Sequence, residues 1–231
     1  MTPTASLALA TLAFVGTHLA MSHPLRPALV ARLGERGFLG LYALVSFATL
    51  GWMIFAWRGT DAAAPLWAAP LWWWPIGSGI MLVASILLVG SFAGNPAFPH
   101  PGAEPREIPP ARGVFAITRH AMNMSFILWA LVHLSLSGSA RNLIVAGGIL
   151  ILAVVGTLGQ DRKKERLLGA PWRDWQRRTS ILPFAALASG RARWAQAFPG
   201  WIALIGGAAL WAAVTSYHAP LVSPLGDLLS R

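Results

Sequence analysis

Three histidines lie in or beside apolar stretches of the sequence, where an ionisable side chain is costly. His18 lies inside the uncharged run 5–21, His133 lies inside the run 121–136, and His120 directly precedes that second run. An ionisable side chain at membrane depth needs a partner, a cavity or a cofactor, and it is a functional candidate by default. These residues are therefore the first candidates for a site, and a pair of them could hold a haem iron.

The spacing of the histidines limits which of them can share a ligand. His120 and His133 are separated by about 20 Å along a helix and roughly 140° around it, so they cannot serve one site. His18 lies near the predicted inner end of its run, and by depth it pairs with His120. The alternative is that each histidine only hydrogen-bonds a neighbouring helix, an interaction worth about 0.6–2 kcal/mol.

Composition indicates a membrane protein. Of the 231 residues, 55% are hydrophobic and 11% are charged, whereas a soluble domain averages about 25% charged residues. The sequence has no cysteine, which excludes disulfides and thiolate chemistry. It also lacks Walker A, GxGxxG and HExxH motifs, and no apolar run contains a carboxylate, so the signals for nucleotide hydrolysis, zinc proteolysis and proton antiport are absent.

Six uncharged runs predict an all-α integral membrane protein, because a helix of about 20 residues crosses a bilayer. The predicted spans are residues 5–21, 38–57, 71–94, 115–136, 142–159 and 197–218, within a single membrane domain over 1–231. The fourth run itself begins at Ala121, and its helix is predicted to extend back through residues 115–120. No basic segment precedes the first run, which is therefore interpreted as a retained span and not as a signal peptide.

The basic residues predict the orientation. Segments 22–37, 95–120 and 160–196 hold fifteen of the eighteen Lys and Arg residues. By the positive-inside rule these segments are cytoplasmic, so both termini lie outside. The net charge is +10, and the basic residues lie between the apolar runs. This placement favours anionic lipid at the cytoplasmic face over nucleic acid as the partner.

One cytoplasmic segment predicts an additional amphipathic helix. The fifth helix continues into water beyond residue 160, Gly169 ends it, and Pro171 can begin a new helix. Trp172 and Trp175 share one face of that helix. This pattern is typical of an interfacial helix that lies in the headgroup plane.

Short motifs spread over the chain resemble one family when they are taken together. They are FVGTHL at 14–19, RLGERG at 32–37, YALVS at 42–46, TRH at 118–120, LWALVHL at 128–134, GQDRK at 159–163, Trp172, and TSILPF at 179–184. In this combination they resemble the NnrU family of membrane proteins over nearly the whole chain. Ala121 departs from that pattern, since the family usually has proline after the Arg–His pair.

The resemblance implies a location, a cofactor and ligands. Named members are linked to bacterial denitrification and nitric oxide metabolism, and plant and cyanobacterial relatives are 15-cis-zeta-carotene isomerases that use haem b held by histidines. The family's ligand spacing implies His18 and His133 as ligands of the haem iron, with His120 as the alternative to His133. Arg119 and Asp161 would then shape the cytoplasmic mouth of the site. The implied location is the bacterial inner membrane, and the implied ligand is a hydrophobic polyene or a small gaseous molecule.

Three functional hypotheses follow, and only two of them make the protein an enzyme. The first is a haem b protein that isomerises a polyene or acts in nitric oxide metabolism. The second is a non-enzymatic accessory protein of a denitrification system. The third is an S-adenosylmethionine-dependent methyltransferase, because Arg119, His120 and the stretch 161–184 resemble the isoprenylcysteine and phospholipid methyltransferase membrane fold. That likeness concerns architecture, and a fold does not fix chemistry.

Overall fold

The computed structural model describes residues 1–61, 64–98 and 108–222. Over these residues the regular elements are helices, and one isolated β-bridge joins Ala68 to Ser137. The α-helices in the described part of the chain are α1 (Pro3–Ser22), α2 (Arg26–Arg58), α3 (Trp73–Gly90), α4 (Val114–Ile117), α5 (Ala121–Leu136), α6 (Ala140–Leu168), α7 (Ala170–Arg178), α8 (Ala185–Ala188) and α9 (Trp201–Val222).

Within the described residues, four helices are long and apolar enough to cross a membrane. They are α1, α2, α3 and α6, and α5 is a shorter apolar helix. The all-helical class predicted from the sequence is therefore confirmed for the described residues, and these four helices have the length and composition of membrane spans. Helix α9 begins at Trp201, four residues after the start of the sixth predicted run, and it continues to Val222, past the predicted end at residue 218. A total of six spans and the outside position of both termini stay predictions.

The predicted helix over 115–136 is divided in the structure. Helix α4 ends at Ile117, Thr118 is extended with φ −151° and ψ 136°, and α5 begins only at Ala121. The Thr118 hydroxyl donates to the Ile181 carbonyl at 2.7 Å, and the Arg119 N–H donates to the Ser180 carbonyl at 2.9 Å. These bonds to a distant segment replace helical ones, which is why hydropathy alone did not reveal the break.

Helix α2 begins earlier than the predicted span 38–57 and contains a break at Gly34. This glycine has φ 69° and ψ 169°, a conformation that side chains with a Cβ rarely adopt. The turn separates the segment 26–33 from the longer apolar part of the helix. The turn also brings Glu35 close to Arg26. The Arg26 guanidinium lies 2.5 Å from the Glu35 carboxylate.

The described chain divides into two compact units. The first unit contains Met1–Ala68, His133–Gly169 and the residues Ala97 and Phe98. Its core is formed by α1, α2 and α6, which pack through buried side chains. The buried residues of this core are Leu7, Ala10, Phe14, Val15, Met53 and Ala56.

The second unit contains Ala69–Pro96, Ile108–Val132 and the described residues from Ala170 onwards. Helices α3 and α9 pack closely, because a Cβ built on Gly207 would lie 2.6 Å from the Ile86 Cα. The Trp211 indole N–H donates to the Ser78 carbonyl at 3.0 Å and adds a polar contact to this pair.

Helix α7 confirms the predicted helix after Gly169, but its tryptophan face packs differently from the prediction. Trp172 and Trp175 are 0% and 1% exposed, and the Trp175 ring lies 6.4 Å from the ring of Phe115. Protein therefore covers the face that was predicted to meet lipid headgroups. Tertiary packing explains the difference. A short helix with two indoles on one face buries more apolar surface against its own chain than among lipid headgroups.

Candidate functional site

His18 is held by the backbone of its own helix and by two aromatic rings. Its Nδ1 lies 2.8 Å from the Phe14 carbonyl, one turn earlier in α1. The imidazole is half-buried, 4.2 Å from the Phe14 ring and 5.3 Å from the Tyr42 ring, which meets it edge-on. A carbonyl oxygen only accepts hydrogen bonds, so Nδ1 carries the proton. In the neutral ring Nε2 then has the free lone pair that a metal ligand needs.

A second histidine shows which part of this arrangement is specific to His18. His218 in α9 also places Nδ1 2.8 Å from a carbonyl one turn earlier, that of Val214. His218 is exposed, however, and its ring contact is with the neighbouring Tyr217. The backbone bond is therefore not specific to His18, and the contact with rings from two helices distinguishes His18 from His218.

Tyr42 connects α2 to this histidine. Its hydroxyl accepts a hydrogen bond from Ser22 at 3.2 Å, and its ring lies 5.9 Å from the ring of Phe38. These contacts fix the ring that faces His18. Sequence reasoning did not select Tyr42, although a polar hydroxyl within the apolar run 38–57 was a usable signal. The packing of α1 against α2 brings Tyr42 to His18, and neither apolar run by itself predicts that packing.

His133 and Asp161 belong to the same compact unit as His18. His133 is half-buried near the end of α5, and its carbonyl accepts a hydrogen bond from the Asn142 amide at 2.6 Å. Asp161 lies in α6 and is 7% exposed. The structure thus places three of the five residues selected from the sequence within one unit.

His120 and Arg119 belong to the second unit. His120 is 4% exposed and directly precedes α5, where its carbonyl accepts a hydrogen bond from the Met124 N–H at 2.8 Å. Arg119 is half-buried, and its backbone N–H is bonded to Ser180. Both residues are therefore fixed at the break between α4 and α5, in the motif that the sequence analysis singled out.

A haem needs fewer ligands from the protein than a bare metal ion does. Across the residues that the structure describes, no three His, Asp or Glu side chains come together as a possible metal site. Haem brings its own ring nitrogens, and the protein supplies only axial ligands. A neutral imidazole with its proton on Nδ1 meets that requirement, and the Phe14 carbonyl favours the proton of His18 on Nδ1.

A basic cluster near the α1–α2 junction was also missed by sequence reasoning. We use "basic cluster" for Arg26, Lys163 and Lys164, which lie within electrostatic range of one another. His23 lies beside them, with its ring against the backbone of Gly159. Burial lowers the pKa of His23, and the positive charges of Lys163 and Arg166 lower this pKa further.

Comparisons with known proteins give a family and two curated relatives. The family model described as NnrU protein matches residues 6–224. The chloroplastic 15-cis-zeta-carotene isomerase of Arabidopsis thaliana is 30% identical over 79 residues, and that of Zea mays is 29% identical over 79 residues. Each alignment covers 34% of this chain and 22% of the relative, so the chain matches only about a fifth of each relative's length. No solved structure gives a significant match.

Proposed function

We propose a function from one premise: the chain belongs to the NnrU family of membrane proteins. The similarity to 15-cis-zeta-carotene isomerases favours one activity within this family. The protein is then a haem b protein of the bacterial inner membrane that converts a cis double bond of a polyene to the trans form. The single observation that carries this proposal is the His18 imidazole, which Phe14 holds with Nε2 available as a ligand.

His18 and one further histidine would hold the iron. His133 is the second ligand in this proposal, because it lies in the same compact unit as His18. His120, in the other unit, is the alternative. Asp161, which belongs to the same unit as His18, would shape the cytoplasmic mouth of the site.

Isomerisation suits a site built from apolar and aromatic side chains. The product has the same atoms and electrons as the substrate, so the reaction consumes no oxidant and no water. Bound haem would supply an iron centre that assists rotation about the double bond. The chain's own contribution is positional, since the rings of Phe14 and Tyr42 enclose the His18 imidazole and fix its orientation. A polyene dissolves in the bilayer and reaches such a site between apolar helices.

The first test is an absorption spectrum of purified protein that was expressed with ample haem. We expect a Soret band that is lost in His18→Ala and retained in His218→Ala. The second variant is a matched control, because His218 makes the same backbone bond on an exposed helix face. Colourless wild-type protein, or equal loss of the band in both variants, would refute His18 as a haem ligand.

The second test separates the two ligand pairs and the activity. His133→Ala and His120→Ala are compared by reduced and oxidised spectra, and the variant that changes the ligation state identifies the second ligand. The haem-loaded protein is then incubated with a cis-polyene, and the isomers are separated by chromatography. Conversion that requires His18 supports the isomerase. A haem protein that binds nitric oxide without conversion would instead support a role in nitric oxide metabolism.

A further inference from the structure

The basic cluster concentrates positive charge at one end of the first unit. Lys163 and Lys164 are the only lysines in the chain, and they are adjacent in α6. Arg26 is the first residue of α2, and the break at Gly34 allows Glu35 to contact its side chain. All three side chains are half-buried, although burial penalises a charge that has no compensating partner.

Arg26 is oriented by two contacts but keeps free donors. Its guanidinium donates to Glu35 at 2.5 Å and lies 5.4 Å from the centre of the Phe38 ring. A guanidinium carries five N–H donors, and the bond to Glu35 uses one of its nitrogens. The remaining donors are held in a fixed plane, which is the geometry that suits carboxylate and phosphate oxygens.

Neither lysine forms a close ion pair with a carboxylate of the described residues. Lys164 donates to the Phe98 carbonyl at 3.2 Å, and Lys163 has no hydrogen-bond acceptor among the described residues. Glu35, the carboxylate that acts on both lysines, is already bonded to Arg26. Three cations therefore share the negative charge of one carboxylate, and neighbouring like charges repel one another.

We propose that the basic cluster binds the phosphate group of an anionic molecule. A phosphate accepts hydrogen bonds from the guanidinium and from both ammonium groups, and its charge removes their mutual repulsion. The cluster lies where the apolar part of the helices ends, and Leu25, the chain neighbour of Arg26, is 49% exposed. A phospholipid headgroup and a soluble phosphate ester share this chemistry. The site contains none of the histidines assigned to haem.

The presence of only two lysines makes a direct test possible. Reductive methylation with ¹³C-labelled formaldehyde marks both ammonium groups, together with a free amino terminus, and keeps their charge. Lys163→Arg and Lys164→Arg each remove one signal and so assign the spectrum. The full-length protein is placed in phosphatidylcholine nanodiscs and examined with and without phosphatidylglycerol, and separately with inorganic phosphate against chloride at equal ionic strength. We expect a saturable shift of both lysine signals.

The two arms distinguish the sources of the phosphate. Saturation by phosphatidylglycerol identifies a lipid site, and saturation by inorganic phosphate alone identifies a soluble ligand. If neither arm gives a saturable shift, the proposal is overturned. A shift that occurs only in haem-loaded protein also overturns it, because the bound anion would then be a haem carboxylate. Repeating the titration in His18→Ala therefore separates this proposal from the haem proposal.

Variants of Arg26 and Glu35 give opposite expectations. Arg26→Gln should weaken binding about tenfold, whereas Arg32→Gln, on the same segment but exposed, should have little effect. Glu35→Gln should strengthen binding, because it removes the carboxylate that competes for Arg26. If Arg32→Gln weakens binding as much as Arg26→Gln, or if Glu35→Gln abolishes binding in folded protein, the cluster is not a specific phosphate site.

Discussion

At the scale of single residues, His23 shows how a neighbouring basic helix changes the affinity of a side chain for protons. Its ring packs against the α6 backbone at Gly159, and it is half-buried. Burial is the main cause that lowers the pKa of His23 from 6.5, and the charges of Lys163 and Arg166 add to it. The folded protein therefore holds this histidine neutral more strongly than the unfolded chain does.

We predict that His23 makes the protein less stable in acid. As the pH falls through 6.5, the unfolded chain takes up the proton before the folded protein does, so protonation favours unfolding. The contribution is fully present above 6.5 and is lost as the pH falls towards the lower pKa of the folded state. Thermal unfolding in detergent at about pH 7.5 and about pH 5 measures it.

The matched variant for this prediction is His23→Gln, which keeps a polar side chain of similar length but cannot titrate. We expect the fall in melting temperature between the two pH values to be smaller in His23→Gln than in the wild type. Equal falls in both proteins would contradict the prediction, because other groups would then account for the whole effect.

At the scale of elements, glycines set how closely helices approach in this chain. Gly207 of α9 faces the backbone of α3, and a Cβ there would lie 2.6 Å from the Ile86 Cα and 2.8 Å from its nitrogen. Backbone atoms cannot move aside as the end of a side chain can. The α3–α9 contact therefore depends on the absence of a side chain at this position.

We predict that Gly207→Ala lowers the free energy of unfolding by about 1–3 kcal/mol, because the added methyl group overpacks a closed helix contact. Gly79→Ala is the control in α3, where a Cβ would meet no atom within 4 Å. That control should be neutral or should gain up to about 1 kcal/mol from the higher helix propensity of alanine. Thermal unfolding of the two variants in the same detergent checks the difference, and equal losses would show that α3 and α9 do not pack this closely.

The helices also show which features of the fold and of the candidate site could be predicted from the sequence. The apolar helices were located correctly because hydropathy is a local property of about 17–25 residues. The break at Thr118 was missed because its causes, the carbonyls of Ser180 and Ile181, lie far away in the sequence. For the same reason His18 was found as a polar residue in an apolar run, whereas Tyr42 and the basic cluster depend on which helices pair.

At the scale of the whole molecule, the distribution of charge along the chain predicts its orientation. Segments 22–37, 95–120 and 160–196 hold most of the basic residues, while 58–70 and 137–141 hold one each. The positive-inside rule places the first group in the cytoplasm. The phosphate-site proposal depends on this orientation. In the predicted orientation the site faces the cytoplasmic leaflet, which carries the anionic lipids.

The absence of cysteine allows this orientation to be tested with single substitutions. Asp61 is exposed in a predicted outside segment, and Arg173 is exposed on α7 in a predicted cytoplasmic segment. We expect a membrane-impermeant maleimide to label Asp61→Cys in intact cells and to label Arg173→Cys only after the membrane is opened. The unsubstituted chain is the control and should remain unlabelled. The reverse pattern would invert the topology, and labelling of both positions in intact cells would rule out the predicted arrangement of the spans between them.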